Sequence, residues 1–98
     1  MTKRDLIDEL QRRHSYCARR DVEVAVNTAL RAMVEALQQN GRVEIRGFGT
    51  LEVRQRPPRQ GRNPRTGAVV QVGPKKVPFF RAGKDLRRRV NGQGSGAI

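Results

Sequence analysis

Apolar residues recur at helical spacing near the start of the chain. Thr2, followed three residues later by Asp5, resembles a capping box in which an acidic residue replaces the usual Glu or Gln. The apolar residues that follow share one helical face: Leu6, Ile7 and Leu10. The pattern predicts a first helix over about residues 3–13.

A second, longer amphipathic helix is predicted over about residues 18–39. Its apolar side chains fill an arc of roughly 160°, made of Val22, Ala25, Val26, Ala29, Leu30, Ala32, Met33, Ala36 and Leu37. That arc is wider than packing against one neighbouring helix requires. We therefore expect the first helix and a second subunit to bury it, with burial inside a monomeric core as the alternative. Asn40, which tolerates positive φ, ends the helix before Gly41.

The apolar period changes from helical to alternating after Gly41. Residues 42–46 place apolar side chains on one face and charged ones on the other, as a half-buried strand does. The outward row is Arg42, Glu44 and Arg46. Gly47-Phe48-Gly49 is predicted to turn the chain, and the apolar positions of the second strand are Leu51 and Val53.

A returning strand is predicted around Val77 and Phe79. Pro78 lies between them, and a proline fits only an edge strand or a bulge because it cannot donate a ladder hydrogen bond. Residues 84–90 are predicted to form a short basic helix, which Leu86 and Val90 would anchor.

Between these strands, residues 54–74 are predicted to form a β-hairpin arm. Pro57 and Pro58 remove two ladder donors, and Asn63-Pro64 is a typical start of a turn, with glycines at 61 and 67 loosening its ends. Pro64 is the midpoint of the segment, and two extended limbs would reach about 30 Å. The predicted fold class is α+β: an N-terminal helical pair, an antiparallel three-stranded sheet with a long protruding arm, and a short C-terminal helix.

Charge is distributed very unevenly along the 98 residues. The net charge is +12, and no acidic residue lies between Glu52 and Asp85, where nine residues are basic. Residues 1–52 carry nine basic and eight acidic side chains, whereas residues 53–98 carry twelve and one. A one-sided basic field attracts phosphate-rich surfaces and gains free energy by releasing their counterions. The predicted partner is therefore a polyanion.

Several classes of function are not supported by the sequence. Cys17 is the only cysteine and His14 the only histidine, too few ligands for a zinc site, and no nucleophile has a base partner. We therefore expect no enzyme activity, cofactor, metal or small-molecule substrate. No apolar stretch has the length of a signal or membrane segment, so we expect a cytoplasmic protein that binds no membrane. About 70 residues remain outside the arm and tail, a size at which oligomerisation commonly supplies stability.

Three motifs resemble the HU/IHF family of bacterial DNA-bending proteins: Val43-Glu44-Ile45-Arg46-Gly47-Phe48-Gly49, Gly61-Arg62-Asn63-Pro64 and Val77-Pro78-Phe79-Phe80-Arg81-Ala82-Gly83-Lys84-Asp85-Leu86-Arg87. The resemblance covers residues 1–91, which we expect to form one domain, followed by a flexible tail at 92–98. Within the family, Glu44 and Arg46 beside Gly-Phe-Gly are more similar to beta subunits of integration host factor than to HU.

The resemblance implies an intertwined dimer, either a homodimer or a heterodimer with a related alpha subunit, whose two arms hold double-stranded DNA by the minor groove. It implies that Pro64 inserts between base pairs and bends the duplex. The implied role is architectural and nucleoid-associated, in recombination, replication and transcription control. A sequence-tolerant, HU-like role is the alternative within the family, and a proline that only shapes the turn is the alternative for Pro64.

The expected DNA-binding residues are mostly arm and sheet cations: Arg42, Glu44, Arg46, Arg54, Arg56, Arg59, Arg62, Asn63, Arg65, Lys75, Lys76, Arg81, Lys84 and Arg87, with Arg88 and Arg89 added as phosphate contacts. Glu44 is expected to hold the guanidinium of Arg46 in a narrow minor groove; a plain cross-strand ion pair is the alternative. A basic RNA-binding protein is the rival of another class, but residues 54–78 contain no aromatic side chain for base stacking.

Overall fold

The computed structural model describes residues 1–94, which form three helices and five strands. In chain order the elements are α1 (Lys3–Arg13), α2 (Arg19–Gln38), β1 (Val43–Ile45), β2 (Gly49–Arg56), β3 (Arg59–Arg62), β4 (Val69–Val72), β5 (Lys75–Ala82) and α3 (Lys84–Val90). The chain divides into two compact units, residues 1–35 and the residues from 36 onwards. The α+β class and all three predicted helices are confirmed.

The first unit begins with the capping box that the sequence predicts. The Asp5 backbone N–H donates to Thr2 Oγ1 (3.1 Å), and the Thr2 N–H donates to Asp5 Oδ2 (2.9 Å). These reciprocal bonds satisfy two donors that a helix start leaves without intrahelical partners. Between the helices, Arg19 of α2 forms an ion pair with Asp8 of α1 at 2.7 Å.

The core of this unit is small. Ile7, Val22 and Val26 are its buried apolar residues, and Leu6, Leu10 and Cys17 pack against them half-buried. The other residues of the predicted apolar arc are at most partly covered in the isolated chain. Ala25, Ala29, Leu30 and Ala32 are exposed, and Met33, Ala36 and Leu37 are half-buried. A shallow apolar groove lies along α1 and α2, lined by Leu6, Leu10, Ala25, Val26, Ala29 and Leu30. One chain by itself buries only Val22 and Val26 of the arc.

Asn40 ends α2 as predicted, with φ of 60°, and its N–H donates to the Leu37 carbonyl (3.1 Å). The second unit then contains an antiparallel sheet in the order β1-β2-β5. Pro78 pairs in register with Val53, and β5 is an edge strand of this sheet, as the proline requires. The first strand is shorter than predicted: Arg42 precedes it and Arg46 lies in the following turn.

The turn between β1 and β2 also holds the start of α3. Gly47 has φ of 82°, and its carbonyl accepts the Leu86 N–H (3.0 Å), while the Phe48 carbonyl accepts the Gly83 N–H (2.8 Å). Leu86 is half-buried, in agreement with its predicted anchoring role. Val90 was predicted to anchor the helix too, and this is wrong for the isolated chain, where Val90 is 79% exposed.

The residues that follow residue 91 cap the end of α3. Gly92 adopts φ of 75°, and the N–H groups of Gly92 and Gln93 donate to the carbonyls of Arg89 and Arg88 (3.0 and 2.7 Å). These bonds satisfy carbonyls that a helix end leaves open. Gly92 and Gln93, the first residues of the predicted flexible tail at 92–98, thus cap the helix. Residues 95–98 of that tail lie outside the described residues.

Candidate nucleic-acid interface

The arm is one antiparallel ribbon with a break in its hydrogen bonding. Arg56 pairs with Lys75 before the break and Arg59 pairs with Val72 after it, so the register continues unchanged. Pro57 and Pro58 therefore stand opposite Pro74 and Gly73. Three of these four residues are prolines without an N–H, which explains why the ladder separates into β2-β5 and β3-β4 here.

Hydrogen bonds centred on Asn63 define the tip of the arm. Its N–H donates to the Ala68 carbonyl (2.8 Å), its carbonyl accepts the Gly67 N–H (2.7 Å), and its Oδ1 accepts the Arg65 N–H (2.9 Å). Gly67 has φ of 72°, which favours glycine. The side-chain oxygen of Asn63, predicted to contact DNA, thus has a partner within the turn.

This loop places Pro64 at the start of the turn, with its ring exposed. Because Arg62 pairs with Val69, the centre of the loop lies between Arg65 and Thr66. The predicted midpoint at Pro64 is therefore wrong by one to two residues. Arg62 and Arg65 are exposed on either side of the proline. An apolar ring flanked by two cations is the chemistry expected of a wedge that enters a stacked, phosphate-lined duplex.

At the root of the arm, Arg54 already has contacts within the protein. Its guanidinium carbon lies 3.6 Å from the centroid of the Phe79 ring, and its Nη2 lies 3.2 Å from Glu52 Oε1. Sequence reasoning missed Phe79, because only the strand register reveals that Phe79 pairs with Glu52 and lies diagonally across from Arg54. Arg54 is therefore less available to phosphate than the other arm arginines.

Further along the root, cations face one another across the ladder. Arg56 and Lys75 are register partners, and both are exposed. Like charges directly opposite each other destabilise an isolated ribbon. A phosphate placed between or beside them would remove this repulsion, so the root of the arm favours a bound anion.

Beside the arm, the outer sheet face carries the remaining predicted contacts. Glu44 pairs in register with Thr50, and Thr50 with Arg81. Arg46, in the adjoining turn, lines an open depression with these three residues. The ion pair of Glu44 is with Arg42 at 3.8 Å. In the isolated chain Glu44 therefore pairs with Arg42, and its expected role in holding Arg46 against DNA stays a prediction.

The C-terminal helix adds a basic surface of its own. Lys84, Arg87 and Arg88 are exposed, whereas Arg89 is half-buried. The sequence-predicted cations from Arg42 to Arg87 all lie in the second unit, and all of them are exposed.

His14 and Cys17 both lie close to the end of α1. His14 is the residue that ends α1, and its Nδ1 lies 3.0 Å from the Tyr16 hydroxyl; Cys17 is a half-buried free thiol. Over residues 1–94, no group of three or more potential ligands comes together. None of the helices described is long and apolar enough to cross a membrane.

A family model described as "Bacterial DNA-binding protein" matches residues 1–91. The chain belongs to this family, the HU/IHF proteins. Integration host factor subunit beta of Thioalkalivibrio sulfidiphilus is 50% identical over 91 residues, covering 93% of this chain and 95% of the relative. The subunit beta of Nitrosospira multiformis is also 50% identical, with 93% and 97% covered. The predicted likeness to the beta subunits is confirmed.

Solved structures agree with the fold. The HU protein of an Anabaena HU–DNA cocrystal superimposes with a TM-score of 0.84 at 33% identity, covering 92% of this chain and 97% of that one. HU from Thermotoga maritima gives a TM-score of 0.64 at 29% identity, with 92% and 98% covered. The α+β fold of this chain is therefore that of HU-type DNA-binding proteins.

Proposed function

We propose that this protein is an architectural DNA-binding protein that holds the minor groove between two arms and bends the duplex by inserting Pro64. The single observation that carries the proposal is the tip, where hydrogen bonds around Asn63 fix a turn that leaves the Pro64 ring exposed between Arg62 and Arg65. A proline ring can cover an unstacked base face without burying an unsatisfied donor.

The two arms come from a dimer, with either a second copy or a related alpha subunit as the partner. Both units support this assembly. In the first unit Leu30 of the apolar arc is 40% exposed in the isolated chain, and in the second Ile45 and Phe80 are 39% and 42% exposed. Apolar surface of this extent on a small chain commonly lies in an interface. The relatives named integration host factor subunit beta are consistent with a mixed dimer.

The proposed contacts have distinct roles. Arm and helix cations bind phosphates and fix the position of the duplex; they are Arg54, Arg56, Arg59, Arg62, Arg65, Lys75, Lys76, Arg81, Lys84 and Arg87. Arg42, Glu44 and Arg46 face the groove from β1 and the residues on either side of it, and they supply any sequence preference. Asn63 shapes the tip so that Pro64 meets the base step. Arg54 contributes less than its neighbours because Glu52 and Phe79 already hold it.

The biological role that follows is structural rather than catalytic. Bent DNA brings distant sites together, which suits recombination, replication and transcription control in the cytoplasmic nucleoid. Residues 1–91 act as the DNA-binding domain, in agreement with the span of the family match.

Substituting Pro64→Ala tests the proposal. Alanine keeps the turn but is too small to fill an opened base step, and smooth bending of a short site costs about 1–6 kcal/mol. We expect the variant to fold, dimerise and bind with an unchanged salt dependence, yet to bend a labelled duplex less, seen as a longer end-to-end distance by energy transfer.

A control variant and a nicked DNA substrate make this test more specific. Pro78→Ala, in the edge strand of the sheet, is the matched control and should leave the bend intact. The loss of affinity of Pro64→Ala should shrink on DNA nicked at the kink positions, where the unstacking cost is partly removed. If Pro64→Ala bends intact DNA as fully as the parent, Pro64 only shapes the turn and the wedge assignment is rejected.

A further inference from the structure

The distal ribbon exposes apolar side chains among its cations. Val69 is 58% exposed and Val70 42% exposed, although β-branched residues of this size are usually covered. As consecutive residues of β4, they lie on opposite faces of the ribbon. The ribbon has only the two strands β3 and β4, and both valines are exposed in the isolated chain, so a partner could cover them.

The cross-strand partners leave these valines accessible. Val70 pairs with Gly61, which has no side chain to shield it, and Val69 pairs with Arg62, which is exposed. Glycine inside a strand often marks a place where another backbone approaches closely. One face of the ribbon therefore exposes Val70 beside Gly61. The other face exposes Val69 beside the cation of Arg62.

The surrounding charge restricts what can cover these patches. Arg59, Arg62 and Arg65 are exposed within a few residues of the valines, and an apolar protein surface would not satisfy their guanidinium groups. A nucleic-acid duplex satisfies both needs, because its phosphates are anionic while the sugar faces that line its minor groove are apolar in DNA. In RNA the same sugar faces carry 2′-hydroxyls, which act as donors and acceptors.

We propose that Val69 and Val70 are specificity-determining contacts that select deoxyribose over ribose along the minor groove. The inference rests on the proposed function, since it places the arm in that groove. A deoxyribose methylene packs against a valine without loss, whereas a 2′-hydroxyl pressed against it is desolvated with no partner. Neither valine side chain can donate or accept, so the protein rejects the hydroxyl by leaving it unsatisfied.

The double variant Val69→Thr/Val70→Thr tests this selectivity. Threonine has nearly the shape and the strand preference of valine but adds a hydroxyl. The probes are a DNA duplex and the same duplex with single ribonucleotides at the sugars flanking the kink, which retains most of the overall geometry. We expect the parent protein to bind the ribose-containing duplex about tenfold more weakly than the all-deoxy duplex. One unsatisfied hydroxyl produces a factor of about this size.

The affinity ratio, all-deoxy duplex over ribose-containing duplex, should fall to about two or less in the double variant. The all-deoxy duplex should bind more weakly, and the ribose-containing duplex should bind equally or more tightly. Gln71→Thr, at a polar position of the same strand, is the matched control and should keep the parent ratio. Circular dichroism and the melting temperature check that the variants fold.

The possible results distinguish a failure of deoxyribose selectivity from a failure of the proposed DNA-bending function. If the parent and the double variant bend DNA equally and show the same ratio, the deoxyribose selectivity is rejected and the DNA-bending function stands. If the double variant and the parent show the same ratio but differ in mass at equal concentration, the valines contact another copy of the chain, and the inference is also rejected. If the parent fails to bend DNA at all, the proposed function itself fails.

Discussion

At the scale of single residues, Gly49 determines how β2 meets β5. A Cβ built on Gly49 would lie 2.5 Å from the Phe80 ring and 2.6 Å from the Arg81 carbonyl oxygen. The Phe80 ring also lies 5.6 Å from the Phe48 ring, centroid to centroid. A glycine is therefore required at position 49 because the Phe80 ring packs closely over the backbone. The nearby turn is a less important reason for the glycine.

Gly49→Ala should destabilise the protein by about 1–3 kcal/mol, because the added methyl forces the Phe80 ring and the β5 backbone to move. Urea unfolding at a fixed protein concentration would measure the loss. Gly73→Ala is the matched control, since nothing lies within 4 Å of a Cβ there. Equal stability of the two variants would show that Phe80 moves aside without cost.

At the scale of elements, α1 carries a charge cluster near its C-terminal end. Glu9 Oε2 accepts from Arg12 Nε (3.1 Å) and Glu9 Oε1 accepts from Arg13 Nε (2.8 Å). The hydrogen bond from Arg12, followed by that from Arg13, lowers the pKa of Glu9 from 4.5 to about 2. The same contact raises the pKa of Arg12. The folded helix therefore favours the ionised carboxylate.

This lowered pKa predicts how acid affects the helix. Because the folded pKa lies below the unfolded one, the stabilisation is fully present above pH 4.5 and is lost as the pH falls towards 2. Glu9→Gln should lower the melting temperature modestly at pH 6, and its melting curve should converge with that of the parent near pH 2. Glu35→Gln is the control, since Glu35 has no ion-pair partner in the described part of the chain. Parallel curves across this range would contradict the prediction.

Local patterns predicted the elements better than they predicted the contacts between strands. Thr2, Asp5 and Asn40 act through backbone groups within a few residues of themselves, so the bounds of α1 and α2 could be predicted from sequence. The contact of Arg54 with Phe79 joins residues far apart in the chain, and only the register of β2 with β5 brings them together. The same register places Pro57 opposite Pro74, which no local pattern indicates.

At the scale of the whole molecule, the twelve basic side chains and one acidic side chain of residues 53–98 should dominate DNA affinity. If six phosphates are neutralised per complex, the logarithm of the binding constant should fall with the logarithm of salt concentration at a slope of about −5. Titrations of one duplex at several salt concentrations would measure it, and a slope near zero would exclude the electrostatic account.

Two arginine variants provide a matched comparison for this slope. Arg59→Gln removes a cation from the exposed distal ribbon, whereas Arg54→Gln removes one that Glu52 and Phe79 already hold. Arg59→Gln should therefore reduce the slope of log binding constant against log salt concentration more than Arg54→Gln does.

The three-residue core of the helical unit has a consequence for the abundance of the protein in the cell. Since Ile7, Val22 and Val26 alone are buried in that unit, we expect folding to be coupled to assembly. In a mixed dimer, a subunit made in excess of its partner would then remain largely open. Open chains are the ones that proteases cleave. Degradation would then remove the surplus, so that matched amounts of two subunits are maintained after translation, without equal rates of synthesis.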